Sequence, residues 1–331
     1  MKTNAELKYH YHPAKGWIND PNGLVFFNGY YHAFYQHQPL YEQPGNAPMV
    51  WGHARTKDFL NWEELPVALE ADCPYDKDGV WSGTANVKDG VLYLFYASVS
   101  DNKQTISIAK SVDGINFEKY EQNPVIRDYP KDGSADFRDP AIFSENGINY
   151  LIVASADCKK NTGNLLLYRS KTFTDWEYVG VLYEYANAKY CECPSFVKCG
   201  DGYLLSVSVC PNCAPHYFEV LYGDFDGRRF TKKIVSHFQK GPDEYAGQIF
   251  HAPDGRNILI SWIPGWEYQP ERCVGCLSLP LEVKPDGNRI TAYPVEEVRG
   301  LLDKNDVLID AYVTERFIRH GEEIEIKVDF T

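Results

Sequence analysis

Five two-residue hairpin signals divide this chain of 331 residues at regular intervals. They are Asn28-Gly29, Asp89-Gly90, Asn146-Gly147, Asp201-Gly202 and Asp254-Gly255, spaced by roughly 53 to 61 residues. Such pairs close tight hairpins because both turn positions need a positive φ. Each is followed by an apolar run, such as Tyr30 to Tyr35 or Ile148 to Val153. A second landmark, an aromatic or apolar residue after a polar turn, recurs at Trp62, Phe117, Trp176, Phe230 and Ile290. Two hairpins per unit make about four strands, repeated five times, and the period is close to that of propeller blades. Few stretches carry a 3.6-residue apolar period. The reading is an all-β chain: a five-bladed β-propeller over residues 1–298, then a linker and C-terminal strand over 299–331 as a short extension.

Composition narrows the partners. The 24 Tyr, 17 Phe and 7 Trp, with 25 Gly and 20 Pro, suit strands joined by many turns. A net charge of −13 argues against nucleic acid or an anionic membrane as the main partner. No apolar run reaches membrane-spanning length. Residues Met1 to Lys8 hold no hydrophobic signal core, so a cytoplasmic location is expected. Nine cysteines without an export signal suggest thiols rather than a disulfide framework. Two Cys-x-x-Cys pairs, Cys210/Cys213 and Cys273/Cys276, fall at or beside equivalent loops of blades four and five. A four-cysteine zinc site, redox pairs and simple buried thiols are all open readings of them.

The repeat also points to a site. In a propeller the first strand of each blade lines the central axis. Stepping back seven to eleven residues from each turn reaches Asp20, Ser82, Asp139, Glu192 and Asp243. Four acids and a serine are therefore expected to converge on one end of the channel. Asp20 lies in Trp17-Ile18-Asn19-Asp20-Pro21-Asn22-Gly23, and Asp139 in Phe137-Arg138-Asp139-Pro140, each acid fixed by a following proline. Strict alternation would put Arg138 out of register with Asp139, though within reach of a neighbouring carboxylate. Cysteine and aromatic neighbours give Glu192 a dry setting. Gln36 offers a sugar hydroxyl both donor and acceptor, and Trp51 an apolar wall or a packing group between blades. Carboxylates around a sugar-sized pocket suggest glycoside hydrolysis, in which one acid protonates the leaving group and another attacks or activates water.

The ordered motifs carry a resemblance. Trp17 to Gly23 resembles the signature of glycoside hydrolase family 32, the β-fructofuranosidases, and Arg138-Asp139-Pro140 and Glu192-Cys193-Pro194 resemble its next two motifs. Phe34-Tyr35-Gln36, Trp51-Gly52-His53-Ala54 and Ser82-Gly83-Thr84-Ala85 also match, with Asp243 and Trp262 less specific. The likeness runs from about residue 9 to 298. It implies a five-bladed propeller, Asp20 as nucleophile, Glu192 as acid/base, and Asp139 as stabiliser of the transition state with Arg138 beside it. It implies that Asn19, Gln36, Ser82 and Asp243 hold the fructosyl unit, and the substrate contacts expected around them include Trp51, Trp81 and Trp262. No cofactor or metal is needed for that chemistry. The expected substrate is sucrose or a short fructo-oligosaccharide. The alternatives are a fructosyltransferase using the same intermediate, or a non-catalytic fructan-binding propeller. The chain departs from the family pattern at Pro44 and Cys191, where a Trp is common, and at Leu281, which stands for an Arg. Family members usually add a C-terminal β-sandwich; here Glu323 to Phe330 alternates like one strand of it.

Overall fold

The computed structural model describes residues 7, 10–40, 47–236, 244–264 and 275–299. Five antiparallel sheets, each a meander in chain order, form five blades around one axis. Blade one contains Trp17–Phe27, Tyr30–Gln38, Val50–Thr56 and Trp62–Leu69; blade two Gly79–Lys88, Val91–Ser100, Lys103–Ser111 and Glu118–Lys119. Blade three contains Phe137–Glu145, Ile148–Asp157, Thr162–Ser170 and Glu177–Ala186; blade four Ala188–Cys199, Gly202–Pro211, Tyr217–Phe225 and Phe230–Ser236. Blade five contains Tyr245–His251, Asn257–Ile263, Leu281–Asp286 and Arg289–Pro294, with Cys276–Leu277 paired on its second strand. The one described helix is the single turn Glu296–Arg299, and no described helix is long and apolar enough to cross a membrane. The segment expected to form a linker and terminal strand falls, from residue 300 on, outside the described residues.

Local chemistry builds the blades as expected, with two corrections. Asn28, Asp89 and Asn146 adopt positive φ beside glycines that do the same, so these three pairs form the two-residue turns. In blade four the turn sits one residue earlier: Gly200 takes φ 57, and Cys199 pairs with Gly202. In blade five His251 pairs with Asn257, so Asp254-Gly255 lies within a longer loop. The second landmark has a shared cause. Thr56 Oγ1 accepts the Phe59 N–H and Asp58 Oδ1 accepts those of Leu60 and Asn61, which delivers Trp62 onto Tyr11. Ser111 and Asp113 repeat the arrangement before Phe117, whose ring meets Phe34 edge-on. Side chains that satisfy backbone N–H groups within the turn fix where each outer strand begins.

The core is divided as a propeller requires. One apolar cluster fills each of the five gaps between adjacent blades. Fully buried Phe95, Leu166, Leu204 and Leu259 belong to these clusters, and each such side chain contributes roughly 1.5–3 kcal/mol. The ring closes where blade five meets blade one: the Leu277 N–H donates to the Tyr11 carbonyl, and Ile18, Tyr35, Ile258 and Ile260 share one cluster.

Candidate active site

The inner strands are not regular. In every blade, pairing between the first and second strand breaks near the same end of the channel. The breaks fall at Asn19-Asp20, Ser82, Asp139-Pro140, Cys193-Pro194 and Ala246-Gly247. A proline or glycine follows in each case. Asp139, Cys193 and Ala246 take φ values of 53, 46 and 54, so the alternation of side chains fails there and successive residues reach the axis. At Gly83 the backbones come so close that a Cβ would strike the Phe95 carbonyl.

This phase corrects the expected one. The blade-four residue equivalent to Asp139 is Cys193, not Glu192, and the blade-five residue is Ala246. Glu192 is equivalent to Arg138 and Tyr245, and these three form a second tier above Asp139 and Cys193. Arg138 and Asp139, expected to point apart, both line the cavity because the bulge begins at Asp139, directly after the paired Arg138.

The cavity, about 390 Å³, is lined by Asn19, Asp20, Gln36, Trp81, Ser82, Arg138, Asp139 and Glu192. Trp17, Met49, Gln104, Asp136 and Tyr190 complete it. Asp20 Oδ2 accepts the Ser82 hydroxyl at 2.7 Å and lies 3.3 Å from the Cys193 Sγ. Asp139 Oδ2 accepts the Cys193 N–H at 2.8 Å and lies 3.6 Å from the same sulfur. One thiol therefore touches both acids. Burial, then the charges of Asp139 and Asp20, push that thiol well up, so it stays an S–H donor. Burial, reinforced by the charge of Asp139, raises the Asp20 carboxyl to about 7, while the Ser82 hydrogen bond opposes the rise. Burial raises Asp139 to about 6 against the attraction of Arg138.

Glu192 sits in a polar setting rather than the dry one expected. Arg138 donates to its Oε1 at 3.1 Å and the Tyr245 hydroxyl to its Oε2 at 2.7 Å. Burial, then the charge of Glu192, holds the Tyr245 hydroxyl protonated. Gln36 gives its amide N–H to the Val80 carbonyl, which leaves its oxygen as an acceptor, and Asn19 accepts the Asp20 N–H, which leaves its amide as a donor. The arrangement offers two carboxyl groups in different surroundings, one on the floor and one in the upper tier, with donors and acceptors between them.

Two expected contacts lie elsewhere. Trp51 is fully buried against Phe34 and Tyr96 between blades one and two, and its indole N–H donates to the Trp81 carbonyl. It supports the wall that Trp81 forms. Trp262 is buried edge-on to Trp17, at 5.9 Å, behind the lining. Asp243, Pro44 and Cys273 lie outside the described residues. Among the described residues the metal-ligand types that gather are Asp72, Cys73 and Asp76, not Cys210, Cys213 and Cys276. The Lys119 ammonium bonds Asp72 and Asp76 there, at 2.6 Å each. Cys210 meets His216 instead, at 3.1 Å.

Sequence reasoning missed Tyr245, Asp136 and Tyr190. The last two stand two residues before Arg138 and Glu192, a period-two signal that was readable. A larger cavity, about 560 Å³, opens at the far end of the channel. Its acid Glu145 is neutralised by Lys198 at 3.2 Å, so it lacks the clustered carboxyls of the bulged end.

The family model for the glycosyl hydrolases family 32 N-terminal domain matches residues 10–294. A raffinose invertase of Escherichia coli is 38% identical over 320 residues, covering 89% of this chain and 66% of the relative. A sucrose-6-phosphate hydrolase of Escherichia coli is 34% identical over 350 residues, covering 97% of this chain and 72% of the relative. The solved GH32 β-fructofuranosidase of Bombyx mori superposes with a TM-score of 0.78 at 32% identity, over 89% of this chain and 66% of that one. Matched along nearly all of its propeller, the chain belongs to glycosyl hydrolase family 32 and corresponds to its N-terminal domain.

Proposed function

We propose that this chain hydrolyses terminal β-D-fructofuranosyl units from sucrose or short fructo-oligosaccharides, with retention, through a covalent fructosyl intermediate on Asp20. The observation that carries the reading is the pairing of Asp20 and Glu192 across one cavity, each with its own set of donors. Two carboxyls in different environments can divide the roles of nucleophile and acid.

Asp20 Oδ2 is held by Ser82 and Cys193, so Oδ1 is the oxygen that attacks the anomeric carbon. The bond to the leaving oxygen breaks as Glu192 delivers its proton there. Glu192, now a carboxylate, takes a proton from water, and that water attacks the same carbon and frees Asp20. Asp139, fixed by the Cys193 N–H, accepts ring hydroxyls and stabilises positive charge in the transition state. Asn19, Gln36, Trp81 and Arg138 hold the sugar. The floor formed by Asp20 and Asp139 favours a chain end over an internal unit. The relatives are named for raffinose and sucrose 6-phosphate, and a variant of the Bombyx mori enzyme is solved in complex with sucrose.

The test is fructose release from sucrose, raffinose, sucrose 6-phosphate and a short inulin-type oligosaccharide, with Asp20→Asn as control. Release that the variant abolishes is expected. No release from any of the four overturns the proposal.

A further inference from the structure

The floor of the cavity is set by Asp20 and Asp139, but its mouth on the Glu192 side is built from other groups. Arg138 commits one N–H of each terminal nitrogen to a carboxyl group there. Its NH1 donates to Asp136 Oδ1 at 2.8 Å and its NH2 to Glu192 Oε1 at 3.1 Å. Its guanidinium lies over the Tyr190 ring, 4.8 Å from the centroid. The Asp136 side chain is 39% exposed and lines the cavity, which leaves its second oxygen as an acceptor. Next to it Gln104 accepts the Phe137 N–H through Oε1, so its amide NH₂ is a donor in the same wall.

Among the described residues the charge of this wall is one-sided. The described lining residues include four carboxyl groups, those of Asp20, Asp136, Asp139 and Glu192, and one cation, Arg138. A phosphate ester needs several N–H donors that are not already committed to carboxylates. A hydroxyl both donates and accepts, and Asp136 beside Gln104 answers both needs.

We propose that Asp136, with Gln104, forms the subsite for the leaving sugar and selects an uncharged hexosyl group against one that carries a phosphate. This rests on the hydrolase reading above, which puts Glu192, and with it Arg138 and Asp136, on the leaving-group side. Sucrose 6-phosphate bears its phosphate on the glucosyl unit, so it brings like charge toward Asp136.

The experiment compares kcat/KM for sucrose and sucrose 6-phosphate in the wild type and in Asp136→Asn. In parallel, both sugars are titrated calorimetrically into Asp20→Asn and into Asp20→Asn with Asp136→Asn. Asparagine keeps an acceptor for Arg138, so a purely structural role would lower both substrates together and leave their ratio alone. The expected result is a wild-type preference for sucrose of about tenfold or more, narrowed by about tenfold in Asp136→Asn, chiefly through KM for the phosphorylated sugar. Raising the salt should narrow the ratio in the wild type more than in the variant. A wild-type preference for sucrose 6-phosphate, or a ratio that Asp136→Asn leaves unmoved in turnover and binding, overturns the proposal. If neither sugar is cleaved, the hydrolase reading falls, and the calorimetric ratio still decides charge selection. If neither sugar binds, both fall.

Discussion

The two ends of the central channel are made by the same five inner strands, yet they differ in almost every property that matters for chemistry. At the turn end the ladders run regularly into their hairpins, as at Phe27–Tyr30, Lys88–Val91 and Glu145–Ile148. Charge there is local and matched, as in the Lys198–Glu145 pair. At the other end every ladder is broken within the strands, non-glycine residues take positive φ at the breaks rather than in hairpin turns, and two acids lie within reach of one thiol. The comparison teaches that the propeller does not make a site by converging strands alone. It makes one where bulges turn side chains out of the alternation and toward the axis.

Substitution of matched acids at the two ends should break the symmetry most sharply. Asp20→Asn is expected to lower kcat for sucrose hydrolysis by roughly 10⁴-fold. The same variant should melt no lower than the wild type at pH 8. Burial raises the Asp20 carboxyl, so its folded state favours the protonated form and loses that advantage as pH rises through about 7. Glu145→Gln at the turn end should leave kcat within about twofold, because it removes a half-exposed ion pair outside the proposed site. Comparable losses in the two variants would erase the distinction between the ends.

Within the bulged end, the two tiers should separate by substrate. Glu192→Gln is expected to cost roughly 10²–10⁴-fold on sucrose and far less on a fructoside with a good leaving group, since only the former needs a proton. Equal losses would count against the acid role. A smaller effect, about tenfold, is expected from Ser82→Ala, which removes one charged hydrogen bond from Asp20. That bond holds the Asp20 carboxyl down, so the acid limb of kcat/KM should move to higher pH in the variant. A limb that stays put would detach Ser82 from the titration of Asp20.

The least effect on activity is expected from titration away from the channel. His32 and His53, hydrogen-bonded at 2.9 Å inside blade one, are both driven down by burial, His32 to about 4. The unfolded chain takes up the His32 proton near pH 6.5 and the folded one only near pH 4. Stability from the neutral pair is therefore whole above 6.5 and declines as pH falls through that window. Imidazole signals of His32 should report a neutral ring at pH 5 while the melting temperature already drops. A protonated His32 at that pH would refute it.

Much of the design was legible because it is local. Turn chemistry at Asn28-Gly29 and Asp58 needs no tertiary knowledge, and it recurs at a fixed period, so blade number and strand count followed from sequence. Asp20, Ser82, Asp139 and Glu192 were found from the same phase, and all four line the cavity. The phase itself was one residue off in blade four, since a bulge depends on how two strands pair. The Pro or Gly after Asp20, Ser82, Asp139, Cys193 and Ala246 was the local mark of it. Trp51 could not be assigned to wall or core because that choice is made by the neighbouring blade, where Tyr96 meets it. Tyr245 was missed for the same reason: its role comes from Glu192, one blade away.

The most direct test follows the fate of the anomeric carbon. Sucrose cleavage by the purified protein is monitored by NMR at early times, before the released fructose mutarotates, with Asp20→Asn alongside. Fructose appearing first as the β-anomer, and not at all with the variant, is the predicted result for attack by Asp20 and then by water. Fructose appearing first as the α-anomer, or at an undiminished rate with Asp20→Asn, would contradict a covalent intermediate on that residue.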